Sequence, residues 1–277
     1  MSNGTLYIVA TPIGNLNDIS KRALDVLNHA DIVACEDTRT SGKLLNFYNI
    51  NTATTAYHEH NADSQTPKLI EKLQGGQSIA LICDAGTPLI SDPGFRLVRA
   101  AHEHDIQVVP IVGACAMVGA LSAAGLPSDK FSFMGFLPAK SHARQKLLED
   151  YKNRTETLIF YEAPHRISEC VTDMAIIFGD EREATLCREL TKTFETIKKL
   201  PLSELLTFIQ NDPNQQKGEM VLVVSGQTKQ STQENYDNWL LALAGELPPK
   251  KACGIVADVL GLKKSEVYDR LLALQND

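Results

Sequence analysis

The polar residues of this chain that could do chemistry fall in short clusters, each placed directly after an apolar run. Ala10-Thr11-Pro12-Ile13-Gly14-Asn15-Leu16 is a turn bearing a glycine and a proline. Cys35-Glu36-Asp37-Thr38-Arg39-Thr40 crowds three charges beside a strand-like end. Cys83-Asp84-Ala85-Gly86-Thr87-Pro88-Leu89-Ile90-Ser91-Asp92-Pro93-Gly94 packs two aspartates, two prolines and two glycines into twelve residues. Such a stiff, carboxylate-bearing loop can hold a ligand with little ordering cost. Tyr161-Glu162-Ala163-Pro164-His165-Arg166 and Arg188-Glu189-Leu190-Thr191-Lys192 complete the set. Singly, each has a plain reading as a tight turn, a solvated charge run or a capped helix start, with Asp92 the cap of a helix beginning near Pro93. Together they point to one shared cleft, because ligands of open α/β sheets sit beyond the carboxyl ends of the strands. Neither G-x-G-x-x-G nor G-x-x-x-x-G-K-[ST] occurs, so neither a nicotinamide dinucleotide nor a nucleoside triphosphate is supported. His58 and His60 lack further ligands at recognisable spacing, so they read as exposed loop residues and no metal site is expected.

The elements that must position these clusters alternate in type. Apolar runs at 6–9, 31–35, 79–83 and 108–112 alternate with amphipathic segments, the rhythm of a mostly parallel sheet covered by helices. Residues 21–30 place Ala23, Leu24, Leu27 and Ala30 on one helical face behind Ser20 as N-cap, and 94–104 and 115–124 are also helical. Gly125-Leu126-Pro127-Ser128 breaks the pattern. Strands able to pair antiparallel follow at 131–136, 157–161, 184–187, 193–200 and 220–225, with covering helices at 143–152, 166–178 and 203–210. The polar stretch 227–235 reads as a linker to helices at 236–244, 249–260 and 264–275. The expected fold is α/β: an N-terminal α/β domain over 1–125 with a mostly parallel sheet, a second α/β domain with a mixed sheet over 126–227, and a small helical C-terminal tail over 236–277.

At 277 residues, two domains and an appendage suit the chain length. Hydrophobic residues at 43% and charged residues at 22% are proportions of an ordinary globular protein, which excludes disordered and fibrous classes. The longest apolar stretch, 111–126, falls short of the roughly 20 residues a membrane span needs, and no signal peptide or anchor is visible, so a cytoplasmic protein is expected. The six cysteines are scattered singly, without zinc-site spacing, and read as buried apolar residues in a reducing compartment. A net charge of −7 argues against a general nucleic-acid coat and leaves room for a local basic groove.

The segments Val9–Leu16, Glu36–Arg39, Asp84–Gly94 and Tyr161–Arg166, in this order, resemble the tetrapyrrole methylase superfamily over residues 5–226. Within it the chain is similar to the branch that methylates small-subunit ribosomal RNA. The resemblance implies two α/β halves with S-adenosylmethionine in the cleft between them, and a homodimer. It places the cofactor against Pro12, Asp84, Thr87, the loop Gly113-Ala114-Cys115-Ala116 and the strand end Phe160-Tyr161, with the backbone at Gly218-Glu219 closing the far side. Many relatives carry a Pro-Gly-Pro-Ser-Ala stretch where this chain has Pro110-Ile111-Val112-Gly113-Ala114-Cys115-Ala116, so the glycine is kept and Cys115 departs.

The implied activity is transfer of a methyl group to the ribose 2′-oxygen of a cytidine in 16S ribosomal RNA, presented as RNA or as the small ribosomal subunit, without membrane involvement. A ribose hydroxyl needs a general base, for which Glu36, Asp37 and Glu162 are the candidates, with His165 behind them. Arg39 and Arg166 suit RNA phosphates. Lys140 and Arg144 form either a basic lip on the RNA or a solvated helix terminus. Lys250 and Lys251 open a tail with helix-turn-helix spacing, or two helices packed only for stability. The competing readings are a methyltransferase acting on a corrin or porphyrin carbon and a non-catalytic RNA-binding assembly protein.

Overall fold

The structure, a computed structural model, describes residues 3–227 and 233–276. The first alternating stretch folds as β1 (Thr5–Val9), α1 (Lys21–His29), β2 (Ile32–Cys35), α2 (Thr38–Phe47), β3 (Thr54–Ala56), α3 (Ala62–Gln74), β4 (Ile79–Ile82), α4 (Phe95–Glu103) and β5 (Gln107–Ile111). Its strands form a five-stranded sheet in the order β3-β2-β4-β1-β5, every pairing parallel. Leu69, Leu73, Leu97 and Ala101 pack with Leu6, Ile79 and Leu81 on one side, and Ala23, Leu27 and Leu45 pack with Val9, Val33 and Ile82 on the other. Coverage of both faces is why β2 and β4 are buried and apolar at every position instead of alternating. Ser20 caps α1 as expected, accepting from the Ala23 N–H. Asp92 does not cap α4: the helix starts at Phe95 behind Gly94 at φ 140°, which leaves Asp92 within the preceding loop.

After α5 (Ala116–Ala123) come β6 (Phe131–Phe136), α6 (Ser141–Tyr151), β7 (Thr157–Glu162), α7 (Ile167–Phe178), β8 (Glu183–Arg188), β9 (Thr196–Pro201), α8 (Leu202–Asn211) and β10 (Met220–Val224). They build a second five-stranded sheet, β6-β7-β10-β8-β9, with β6 parallel to β7 and the remaining pairs antiparallel. Leu148, Val171 and Leu205 cover Phe160 and Leu222 on one face, and Ala120 and Leu121 cover Ile159 and Val221 on the other. Both sheets lie in one compact unit, residues 1–152 with 156–225.

Residues 153–155 with 226–277 form the other unit. In it α9 (Gln233–Glu246), α10 (Pro249–Leu260) and α11 (Lys264–Asn276) bury Tyr236, Leu240, Cys253, Val256, Val267 and Leu271. Gly261, at φ 66°, takes the left-handed position that ends α10 and starts a three-residue turn into α11. Of the expected linker 227–235, residues 228–232 lie outside the described residues, and the rest includes the start of α9 at Gln233. Five cysteines are buried and Cys115 is half-buried. Among the described residues no helix is long and apolar enough to cross a membrane.

Candidate functional site

The turns that leave β1, β2, β4 and β5 lie at the carboxyl end of the parallel sheet, and hydrogen bonds tie those after β1, β4 and β5 together. Thr11 and Gly86 exchange backbone bonds of 2.8 and 3.0 Å, and the Thr11 hydroxyl donates to the Cys83 carbonyl at 3.3 Å. The loop after β4 holds Leu89 at φ 73° and Ser91 at φ 66°, and the loop after β8 holds Glu189 at φ 51° and Thr191 at φ 68°. Non-glycine residues in this region cost on the order of 1 kcal/mol each, and such strain is characteristically found at ligand sites.

Between these loops and the second sheet lies a cavity of about 370 Å³, within the size range of small-molecule sites. Gly86, Thr87 and Asp92 line it from the first sheet, and Phe136, Tyr161 and Val221 from the second. Cys115 and Ala116 join them at the start of α5. Thr87 donates to the Ala114 carbonyl at 2.9 Å, which fixes the loop after β5 against the loop after β4. Tyr161 accepts from the Met117 N–H at 3.2 Å and meets Phe133 and Phe136 edge-on at 4.8 and 5.7 Å. Burial pushes its phenol up to about 12, so it serves as a neutral polar wall at physiological pH. Phe136 is turned into the cavity just after a bulge, where Gly135 sits at φ 67°.

Burial and neighbouring charges lift two carboxylates of these loops, Glu36 and Asp92, of which Asp92 lines the cavity. Burial, then the charges of Asp84, Asp92 and Asp37, lift Glu36 above its ordinary value of 4.5. Burial, followed by Asp84, lifts Asp92, although a hydrogen bond with Cys83 opposes the shift. Asp37 behaves oppositely: its bonds to the Arg39 side chain and backbone hold it down at about 2. It is the N-cap of α2 and pairs with Arg39 at 2.9 Å.

The structure brings Thr87, Cys115, Ala116, Tyr161 and Glu219 to the cavity wall, while Pro12 and Asp84 line an adjoining hollow that also reaches Glu219. Gly113 lies behind, where an added Cβ would stand 3.0 Å from the Ala10 Cβ. Phe160 is a correction: side chains alternate along β7, so Phe160 is fully buried among Leu148, Val171 and Leu222 and turns away from Tyr161. Glu162 also lines the cavity, with its side chain already engaged. Its carboxylate is fully buried, accepting from the Ala163 N–H at 2.7 Å and from Arg166 Nη2 at 3.2 Å.

Arg166 also donates to the Leu137 and Pro138 carbonyls at 2.6 and 3.2 Å, and its Nε lies 3.1 Å from Glu162 although that N–H makes no hydrogen bond. Arg144 has no exposed surface and donates to Asp173 at 2.6 Å. Neither arginine is presented to an RNA strand, which corrects both assignments. Arg39, Lys140, Lys250, Lys251 and His165 are exposed. His58 is half-buried, while His60 is exposed. Among the described residues no His, Cys, Asp and Glu cluster could hold a metal ion.

The sequence reading placed Asp92 and Lys192 in clusters of the shared cleft without a role of their own there, and it missed Phe136. Lys192 binds Glu189 at 2.8 Å and Glu219 at 3.0 Å. Gly14 and Gly218 permit this cluster: an added Cβ would lie 2.5 Å from Lys192 Cγ at the first and 2.3 Å from Glu189 Cδ at the second, where φ is 83°. Gly218→Ala must therefore push Glu189 off the Glu219 N–H and Lys192 while straining its own backbone. We expect a loss of about 1–3 kcal/mol in a urea midpoint measurement. An unchanged midpoint would show that the cluster moves aside freely.

The chain belongs to the tetrapyrrole methylase family: residues 5–206 match the model described as Tetrapyrrole (Corrin/Porphyrin) Methylases. Methyltransferases of this family use S-adenosylmethionine. Residues 230–275 match the model described as RsmI C-terminal HTH domain. The chain is 52% identical over 99% of its length to Ribosomal RNA small subunit methyltransferase I of Pseudomonas aeruginosa, covering 99% of that protein. It is 54% identical to the protein of the same name from Vibrio cholerae, covering 95% of this chain and 92% of that one. Among solved structures, diphthine synthase aligns with a TM-score of 0.62 at 16% identity, over 81% of this chain and 91% of that one. Uroporphyrin-III-C-methyltransferase from Thermus thermophilus aligns with a TM-score of 0.56 at 20% identity, over 80% and 94%. At these identities the two structures speak for the fold alone.

Proposed function

We propose that this chain transfers the methyl group of S-adenosylmethionine to the ribose 2′-oxygen of a cytidine in 16S ribosomal RNA. Support comes from full-length similarity to proteins named for small-subunit ribosomal RNA methylation, and from one structural observation: a largely apolar cavity, walled by both sheets, with Asp92 in its wall and Asp84 in the adjoining hollow. A nucleoside bearing a sulfonium and an ammonium fits that donor set, since Ile13, Ile90 and Val221 offer apolar surface and the carboxylates offer compensation for positive charge. Thr87, the 113–116 loop, Tyr161 and the Gly218-Glu219 backbone would hold it, with Pro12 and Asp84 on the adjoining side. When bound, the cofactor supplies an electrophilic methyl group on a sulfur that departs neutral, so the protein needs no acid for the leaving group. The residues are then left with alignment, exclusion of water and removal of one proton from the ribose hydroxyl, which we assign to Glu36.

The two α/β halves, divided near residue 125, act in this reading as the two jaws of the site. Arg39, Lys140, Lys250 and Lys251 are the exposed cations for RNA phosphates; the Arg39–Asp37 pair is a surface contact of little net worth that a phosphate can replace. A homodimer in the cytoplasm belongs to the same reading, and light scattering at the monomer mass would remove the dimer.

Mass spectrometry of 16S ribosomal RNA nucleosides, after incubation of unmethylated small subunits with the protein and S-adenosylmethionine, tests the function. A 2′-O-methylcytidine is expected, and methylation of a base or none at all would overturn the proposal. Cofactor binding has its own signature. A cation favours ionised Glu36 and Asp92, both of which titrate above ordinary carboxylates, so binding releases protons and weakens as pH falls toward their raised values. Calorimetry in buffers of different ionisation enthalpy reads that release, and affinity independent of pH through the acidic range would exclude these carboxylates as the cation's partners.

A further inference from the structure

On helix α2, Ser41 and Leu45 turn into the core, while Thr40, Lys43, Leu44 and Phe47 follow the i, i+3, i+4, i+7 spacing of one face. This face walls a second cavity of about 500 Å³, whose floor is the turn Thr11–Leu16 and whose far side is Asp84, Ala85 and Lys192. Ile13, Ala85 and Glu219 line this cavity and the cofactor-sized one alike, so the two share a wall.

Phe47 is 61% exposed, although its ring is propped edge-on against Tyr48 at 4.9 Å. The Tyr48 hydroxyl donates to the Leu16 carbonyl and ties the helix end to the floor of the cavity. An aromatic face kept open but held rigid suits stacking of a planar ring. Lys43, one turn earlier on the same face, is exposed and has no ion-pair partner among the described residues, whereas Lys192 is bound by Glu189 and Glu219. An available cation one helical turn from an aromatic plate is the pairing that single-stranded nucleic acid uses: phosphate on the cation, base on the ring.

We propose that this second cavity docks the target nucleoside of the RNA strand, its base stacked on Phe47 and an adjacent phosphate on Lys43, with the ribose directed at the shared wall. The inference rests on the methyl-transfer reading and adds the substrate side of the same site. It also accounts for how an acidic protein captures a polyanion: the favourable contacts are local, and a base taken out of its stack gains a new stacking partner.

The test compares Phe47→Ala, Phe47→Trp and Lys43→Gln with the unaltered chain, using small ribosomal subunits that lack the methylation and tritiated S-adenosylmethionine. Both positions are exposed, so folded variants are expected, and circular dichroism checks this. Phe47→Ala is expected to lower kcat/KM by about 10- to 100-fold, mainly through KM, with Phe47→Trp restoring most of it. Lys43→Gln should weaken RNA binding and reduce the slope of log affinity against log salt by about one. Calorimetric affinity for S-adenosylmethionine should stay at the wild-type value in all three. Wild-type kcat/KM in Phe47→Ala and Lys43→Gln would overturn the dock while leaving the methyl-transfer reading intact. A loss of cofactor affinity would instead assign the cavity to the cofactor. If the unaltered chain neither binds S-adenosylmethionine nor labels the subunit, the methyl-transfer reading falls and takes the dock with it.

Discussion

Arg144→Ala is expected to cost the two-sheet unit about 3–5 kcal/mol, because it leaves a buried carboxylate with no cation. Arg144 is fully buried and Asp173 is 6% exposed at the side chain, with Nε to Oδ2 at 2.6 Å. Ser141 and Gln145 add bonds of 2.9 and 2.7 Å to the other Asp173 oxygen, so this carboxylate organises the first turn of α6 against α7. Arg144 also donates to the Pro138 and Ala139 carbonyls at 3.4 and 3.2 Å, the same peptide stretch that Arg166 holds from the other side. The two arginines thus pin the segment that follows Phe136, a cavity wall. A fall in melting temperature of roughly 10 °C is the expected size for a unit of this length. The double variant Arg144→Met with Asp173→Leu should recover a large part of the loss, since an apolar pair of similar volume needs no compensating charge. If Arg144→Ala costs less than about 1 kcal/mol, water reaches Asp173 and the pair is not the buried contact described.

The same residue shows where sequence reading stops. Arg144 sits in a run of lysine, histidine and arginine, and nothing local distinguishes a basic lip from a cation buried against a partner 29 residues away. Arg166 and Glu162 hid each other similarly, four apart on a chain that turns sharply at Pro164. Long-range pairing carries no periodicity. The strands of the parallel sheet, by contrast, were legible because burial on both faces requires uninterrupted apolar runs, as in β2 and β4.

The region from 36 to 78 was less legible. Helix α2 opens with Thr38-Arg39-Thr40-Ser41-Gly42, β3 is only three residues long, and α3 carries Pro67 in its interior, so each element lacks the pattern that would announce it. Their stability comes from packing, such as Leu45, Leu69 and Leu73 against the sheet. The site was readable as a set of strand-end loops, since sheet topology alone gathers such loops. Its wall from Phe136 depended on how the second sheet meets the first, and the lysine clamp on how the loop after β8 lies beside Glu219 before β10, neither of which a local pattern records.

Glu36→Gln is expected to lower kcat by about 10²- to 10⁴-fold, the usual worth of a positioned general base. The choice of Glu36 over its neighbours follows from their surroundings. Asp37, held at about 2 by Arg39, is ionised at every working pH and is a correspondingly weak base. Glu162 already accepts from Arg166 and the Ala163 N–H. Glu36 is half-buried and lifted above its ordinary value by burial and by Asp84, Asp92 and Asp37, which makes it a stronger base than Asp37. In the unaltered protein kcat should rise with pH through that raised value, and the limb should vanish in the variant.

Stability should move the opposite way. The folded state holds the Glu36 proton more tightly than the unfolded chain, whose value is near 4.5, so stability falls as pH rises from there through the raised value. Removing the charge should therefore leave Glu36→Gln more stable than wild type at neutral pH and equal to it below the unfolded value. A variant with lower activity and higher neutral-pH stability is what a strained functional carboxylate predicts. Full activity in Glu36→Gln, or a pH limb that persists without the carboxylate, would remove Glu36 from the chemistry and pass the proton to another group of the cluster.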